Sequence, residues 1–300
     1  MSSFTLGILG GFIAGLMQSC AYLCGRRFLA KGGNATELLF CSLVITGIAT
    51  WVLAPFVLQT ENLFSWRMLG YVAMTDIGLI VGHWGFFSAQ KYIESSRIAS
   101  LMGLKILVVA LLAIVLLREK FTLLQYIAML GAAGAGILMN SSSGKLQWGG
   151  MGYLALTLVG YAFSDLGIQL VVKEINVSDP IIGGLSGFVT NYAPVGVIAL
   201  FCLKPMKIDR KKFFAAAPQG ICWIFSMLGL YVCFGLMGAA FGNVLQASRG
   251  IISLIIGAFL SYFAIQNFDE QKQSAAVWIR KGLAALLMFG AIVLYAVTKR

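Results

Sequence analysis

The chain has 300 residues, of which 59% are hydrophobic and only 11% are charged, and its formal net charge is +11. So few charged residues cannot cover the surface of a soluble globule, and the composition therefore predicts an integral membrane protein. The excess of Lys and Arg does not indicate a nucleic-acid partner, because most of these residues lie in short loops, where membrane topology explains them.

Apolar stretches long enough to cross a bilayer, at roughly 20 residues each, recur along the whole chain. We place ten predicted spans at residues 4–24, 36–58, 67–89, 98–117, 121–139, 148–172, 181–203, 214–237, 243–265 and 276–297. The connections are short and leave no room for a soluble domain. The first stretch lacks the features of a cleaved signal peptide, so we expect it to be retained as a helix.

Motifs for ATP-driven or enzymatic chemistry are missing from the sequence. It has no Walker-type glycine loop, no zinc-ligand spacing around its single histidine and no Ser-His-Asp set in a loop. The six cysteines lie inside apolar spans, where thiols behave as small hydrophobic side chains. We therefore expect no enzymatic activity, no cofactor and no bound metal.

The basic run KPMKIDRKK at residues 204–212 follows the seventh span. We interpret it as a solvated loop anchored beside the membrane. Contact with anionic lipid headgroups is the alternative interpretation.

An internal duplication relates the two halves of the chain. The segment SSRIASL at 95–101 lies over ASRGIIS at 247–253 with an offset of 152. The sequence thus divides into a first repeat, 1–145, and a second repeat, 146–300, with five predicted helices each. Because five is odd, the second repeat must enter the membrane from the opposite side, which is typical of alternating-access carriers.

The short acidic loop after the fourth span, the glycine-rich fifth span in REKFTLLQYIAMLGAAGAGILM and the arrangement of five plus five helices resemble the drug/metabolite transporter (DMT) superfamily, EamA type. This resemblance implies an all-α carrier with ten transmembrane helices around a central cavity, in the bacterial inner (plasma) membrane. It leaves the substrate open, because the superfamily includes exporters of amino acids and drugs and carriers of nucleotide sugars and phosphorylated metabolites.

Five ionisable side chains lie inside predicted spans, where a charge costs several kcal/mol and usually marks a functional site. Counting residues from the helix ends gives each of them a depth in the membrane. We predict two mixed-charge clusters at different depths, with Asp76 between them and within reach of Lys105. One cluster contains His83, Lys105 and Gln18, and the other contains Asp165 and Arg249.

Two predicted helices carry a polar stripe along one face, at spacings of three and four. The sixth span has Tyr161, Asp165 and Gln169, and the ninth has Asn243, Gln246, Arg249 and Ser253. Such a stripe should face protein or water rather than lipid. Among the aromatic residues we favour Trp84 as a cavity wall, because it adjoins His83.

The sequence thus predicts a secondary transporter whose central site contains Gln18, Trp84, Lys105, Tyr161, Asp165, Gln246 and Arg249. Lys or Arg would bind a carboxylate or phosphate and Asp an ammonium group, which describes an amino acid or a related zwitterionic or anionic metabolite. Asp76 and His83 are the candidates for proton coupling, because histidine changes charge near neutral pH. The expected partners are this small-molecule substrate, membrane lipids and a coupling proton.

Three alternatives stay open at this stage. The substrate is an organic cation or drug held by Asp76 and Asp165 against aromatic rings, or it is a phosphorylated or nucleotide-linked metabolite moved by exchange and bound by Lys105 and an arginine. In the third alternative the protein is a membrane scaffold whose charges form internal salt bridges. The duplication disfavours the scaffold.

Overall fold

The structure is a computed structural model that describes residues 2–59, 63, 65–93, 98, 101–141, 148–262 and 275–298. These residues form helices and turns, and no strand occurs among them. The helices are α1 (Ser3–Ala30), α2 (Ala35–Val57), α3 (Trp66–Ala89), α4 (Lys105–Leu117), α5 (Leu123–Ser141), α6 (Met151–Ile175), α7 (Pro180–Leu203), α8 (Arg210–Met237), α9 (Ala239–Gln246), α10 (Arg249–Tyr262) and α11 (Ala275–Thr298), with 3-10 turns at Met102–Leu104 and Trp148–Gly150.

The helices agree with the predicted all-α membrane protein. By length and composition, α1, α2, α3, α6, α7 and α8 can each cross a membrane, and shorter apolar stretches lie at Met102–Leu117, Leu123–Leu138 and Gly282–Thr298. Every predicted span overlaps at least one helix. Most of the repeat segment 95–101 and the side chain of Ser253 lie outside the described residues.

The ninth predicted span is not one helix, which corrects the expectation from hydropathy. α9 ends at Gln246 and α10 begins at Arg249. Between them, the Ser248 amide donates to the Leu245 carbonyl at 3.1 Å and the Ser248 hydroxyl donates to the same oxygen at 2.6 Å. Gly238, with a φ of 78°, turns the chain between α8 and α9, in a backbone region that favours glycine.

The closest helix packing joins the two halves of the sequence. α1 packs along α8, α3 along α6 and α2 along α7, while α5 packs along α11. Glycines permit this approach, because a Cβ added at Gly10 would lie 2.7 Å from the Gly229 carbonyl oxygen, and one added at Gly160 would lie 2.9 Å from that of Gly78. α9 and α10 pack on α1, and α4 packs on α6. Two helix groups result: one consists of α1, α8, α9 and α10, and the other of α3, α4 and α6. Both groups contact α2 and α7.

Side-chain caps fix where α2 and α8 begin. Asn34 and Glu37 form a reciprocal capping box at α2: the Glu37 amide donates to Asn34 Oδ1 at 2.8 Å, and the Asn34 amide donates to Glu37 Oε2 at 3.1 Å. At α8, the Lys212 amide donates to Oδ1 of Asp209 at 2.7 Å. These caps position Glu37 and Lys212, whose side chains meet.

Candidate functional site

An ion pair lies in the interior between α4 and α6. Lys105 is the first residue of α4, and its Nζ lies 2.5 Å from Oδ2 of Asp165 on α6. Only 2% of Lys105 and 4% of Asp165 is exposed. Withdrawing both charges from water costs several kcal/mol for each ion, so we take this pair as the centre of the candidate site.

Arg249, the first residue of α10, is also buried. Its Nη1 donates to Oε1 of Gln18 at 2.6 Å and to Oε1 of Gln246 at 3.2 Å. Its Nη2 donates to the Met102 carbonyl at 3.3 Å. The break between α9 and α10 therefore places the guanidinium against α1 and against the 3-10 turn that precedes α4.

One amide side chain, Gln246, connects Arg249 to the ion pair, and a second, Asn243, contacts Asp165. Lys105 Nζ donates to the Gln246 Oε1 that Arg249 also contacts, at 3.3 Å, and Asn243 Nδ2 donates to Asp165 Oδ2 at 2.8 Å. The buried charges thus belong to one group, which we call the central network. Its members are Gln18, Lys105, Asp165, Asn243, Gln246 and Arg249.

The prediction of two clusters at different depths is wrong. Lys105 binds Asp165 rather than lying with His83, and Gln18 binds Arg249. Counting depth along a span assumes a continuous helix, whereas α4 begins only at Lys105 after a 3-10 turn and the ninth span is broken just before Arg249. These two interruptions bring both cations to one site.

The central network is short of negative charge. It has two cations and one carboxylate, so within the described residues one positive charge is uncompensated. Three of its polar atoms also have no hydrogen-bond partner there, namely Oδ1 of Asn243, Nε2 of Gln246 and Nε of Arg249. Because buried charges and donors are normally paired, the uncompensated cation and the two unpaired N–H groups suit an anionic group, whereas Oδ1 of Asn243 can only accept a hydrogen bond.

His83 lies at the edge of the central network. The Tyr161 hydroxyl is 3.0 Å from Nδ1 of His83, and Lys105 Nζ lies 5.7 Å from the centre of the Tyr161 ring. The buried imidazole packs edge-on against Trp223 of α8, with ring centres 4.2 Å apart. Tyr161 therefore connects a predicted proton-coupling residue to the charged residues.

Asp76 has a different partner from the one expected. Nδ2 of Asn191, on α7, donates to its Oδ1 at 3.3 Å. The expected contact with Lys105 does not form, because the ammonium group binds Asp165 instead. Asn191 was missed in the sequence, although an Asn inside an apolar span was the available signal.

Trp84 does not line the central site, and that prediction is wrong. The side chain is 39% exposed and packs against Tyr153, with ring centres 5.6 Å apart. One step along an α-helix rotates the side chain by about 100°, which takes Trp84 off the buried face that holds His83. The tryptophan in contact with His83 is Trp223.

Gln169 is buried against protein, as the polar stripe of α6 predicts, but its partners lie outside the central network. Its Nε2 donates to Oε1 of Glu119 at 2.9 Å, and its Oε1 accepts from the Ala239 amide at the start of α9 at 2.6 Å. Gln169 and Glu119 line a cavity of about 310 Å³. One helical turn separates this cavity from Asp165.

Helices that can cross a membrane, packed around a buried charged network, define a multi-pass integral membrane protein with a polar interior. Residues 5–142 match the EamA-like transporter family. The resemblance to the EamA type of the DMT superfamily is thereby confirmed, and it implies a membrane transporter of that type.

A solved protein crystal structure is similar to the whole chain, with a TM-score of 0.68 and 15% sequence identity. The match covers 96% of this chain and 95% of that one. At this identity the likeness shows the fold alone. No curated protein matches the sequence.

Proposed function

We propose that this protein is a secondary active transporter that moves a small zwitterionic or anionic metabolite, such as an amino acid, across the bacterial inner membrane by alternating access. The uncompensated positive charge of the central network carries the proposal. A carboxylate placed against Arg249 and Lys105 neutralises that charge, and the unpaired N–H groups at Nε2 of Gln246 and Nε of Arg249 can donate to it.

Other residues complete the proposed site. Tyr161 and Trp223 offer aromatic surface for the remainder of the solute. Asp76 contacts a neutral amide rather than a cation, so its carboxylate is the group available to an ammonium or to a proton. The substrate class therefore follows from one cationic and one anionic subsite.

Reciprocal glycine contacts support the proposal of two inverted repeats. Gly10 approaches Gly229, and Gly160 approaches Gly78. Gly10 and Gly160 are 150 residues apart, and Gly78 and Gly229 are 151 apart, so exchanging the halves maps one contact onto the other. A pseudo-twofold axis between repeats produces such pairs of contacts.

The placement of the central network supports alternating access. Gln18 and Arg249 belong to the helix group of α1 and α8, whereas Lys105 and Asp165 belong to the group of α3 and α6. Motion of one group against the other must break and re-form the contacts between them. A ligand bound to both groups would therefore couple its own binding to that motion.

A phosphorylated substrate is the second candidate, and one observation favours it. Lys105 Nζ and Arg249 Nη1 both donate to Oε1 of Gln246, so the two cations lie close enough to share one phosphate. Two cations against one phosphate group is a frequent binding arrangement. The ligand screen that follows distinguishes this candidate from an amino acid.

Thermal stabilisation of the purified protein tests the substrate class. Zwitterionic amino acids should raise the melting temperature, and quaternary amines of similar size should not. If sugar phosphates raise the melting temperature and amino acids do not, the result would favour an exchanger of phosphorylated metabolites. Stabilisation by quaternary amines alone would overturn the proposal that Arg249 and Lys105 bind an anionic group of the substrate.

Arg249→Gln is expected to weaken binding of the stabilising ligand by about tenfold or more, because a hydrogen bond between charged groups is lost and its energy corresponds to about that factor. The ligand-free melting temperature shows whether the variant is folded. Arg249→Lys, which keeps the charge, should retain part of the affinity, measured by titration calorimetry. Unchanged affinity in both variants would contradict the assignment of Arg249 to the anionic group.

Asp76→Asn and His83→Gln are expected to abolish accumulation driven by a pH gradient, because neither new side chain can exchange a proton in that role. Both variants should still exchange substrate for substrate in proteoliposomes. Exchange without accumulation supports proton coupling at these residues. Accumulation at the rate of the parent protein, still dependent on the pH gradient, would rule them out.

A further inference from the structure

A basic cavity opens where α1 ends and α8 begins, at one end of the α1–α8 pair. It has a volume of about 370 Å³. Its lining combines four cations with two aromatic rings, namely Arg27, Lys31, Lys211, Lys212, Phe28 and Phe214. None of these residues belongs to the central network.

Positive charge exceeds negative charge in this cavity. Lys212 is paired with Glu37, whose Oε1 lies 2.6 Å from Lys212 Nζ. The other three lining cations have no ion-pair partner in the part of the chain that the structure describes. Lys211 and Lys212 also lie in the first turn of α8, where the helix dipole disfavours cations. The surplus charge therefore favours an anion in the cavity.

The rest of the wall suits an amphiphilic ligand. The Phe214 ring is 59% exposed, and the Arg210 guanidinium lies over it at 5.5 Å. A Cβ added at Gly32, in the cavity lining, would meet no atom within 4 Å, so the space beside the cations is open. Cations beside an exposed ring, at the ends of membrane helices, match the two parts of a phospholipid at the headgroup level.

We propose that this cavity binds the phosphate group of an anionic phospholipid. Arg27, Lys31 and Lys211 face the phosphate, and Phe214 faces the glycerol and the start of the acyl chains. A lipid bound here contacts both α1 and α8 and stabilises their pairing. Free phosphate has the same chemistry, and the experiment separates the two sources.

Native mass spectrometry of the purified full chain tests this proposal, with phosphatidylglycerol and phosphatidylcholine of the same acyl chains as probes. Phosphatidylglycerol should bind, and the double variant Lys31→Gln/Lys211→Gln should weaken its binding by about tenfold or more. The matched control is Lys204→Gln/Lys207→Gln. It removes the same charge near the start of α8 but outside the cavity lining, and it should bind phosphatidylglycerol as the parent protein does.

Inorganic phosphate, titrated against the phosphatidylglycerol complex, identifies the source of the phosphate group. Displacement of the lipid supports a site that also accepts free phosphate, and a complex that resists displacement supports a lipid site. Equal weakening in both double variants, or equal binding of the two lipids, would indicate only diffuse attraction and overturn the proposal. Equal melting temperatures of the two variants exclude misfolding as the cause of a difference.

Discussion

Asp165→Asn is expected to abolish transport and to lower the free energy of unfolding by about 3–5 kcal/mol, the cost of removing one partner from a buried ion pair. The change leaves Lys105 and Arg249 as two buried cations without a carboxylate in the central network. Transport is measured in proteoliposomes, and stability by thermal or denaturant unfolding of the purified protein. Glu174→Gln, the same kind of change on the same helix, is the matched control and should alter neither quantity by much.

The double variant Lys105→Gln/Asp165→Asn separates a structural role from a functional one. It removes both charges and keeps groups that can hydrogen-bond, so much of the lost stability should return. Transport should stay absent, because the binding site has lost a cation that faces the substrate. Recovery of transport together with stability would show that the pair only supports the fold, and would favour the scaffold over the carrier.

The sequence was sufficient to predict where apolar helices occur along the chain, though not their interruptions, and it identified three charged residues that are buried. Hydropathy is a local property of the chain, so it locates apolar segments without knowledge of their neighbours. The high cost of a charge in hydrocarbon likewise made Lys105, Asp165 and Arg249 candidates before any contact was known. All three belong to the central network.

The pairing of these charges could not be predicted, because it depends on where helices are interrupted. Counting 1.5 Å per residue assumes a continuous helix, but both cations follow an interruption. Lys105 follows the 3-10 turn Met102–Leu104, and Arg249 follows the break after Gln246. Neither interruption contains a proline or a run of polar residues that would indicate it. A few irregular residues therefore decide which charges meet.

Contacts between helices that are far apart in the sequence could not be predicted either. Adjacency in the sequence favours Trp84 as the tryptophan beside His83, whereas the ring in contact with His83 comes from Trp223, on a helix of the other half of the chain. Asn191 meets Asp76 across a similar distance in sequence. Identifying such partners requires the packing of α3 against α7 and α8, which composition and periodicity do not encode.

Gly160→Ala is expected to destabilise the protein by about 1–3 kcal/mol and to impair transport, because overpacking a tight contact costs that much. The added Cβ would lie 2.6 Å from the Gly82 amide nitrogen and 2.9 Å from the Gly78 carbonyl oxygen, and backbone atoms cannot rotate away as a flexible side chain can. Gly152, also on α6, has no atom within 4 Å of an added Cβ. Gly152→Ala should therefore be neutral or stabilise the helix by less than about 1 kcal/mol.

Gly10→Ala extends this comparison to the proposed pseudo-symmetry. Its Cβ would lie 2.7 Å from the Gly229 carbonyl oxygen, in the α1–α8 contact that corresponds to the α6–α3 contact of Gly160. If the two contacts are related by inverted repeats, the two substitutions should lower the melting temperature by similar amounts. A large decrease in melting temperature for Gly160→Ala with no decrease for Gly10→Ala would contradict this relation. The similarity between the two halves would then not extend to their helix packing.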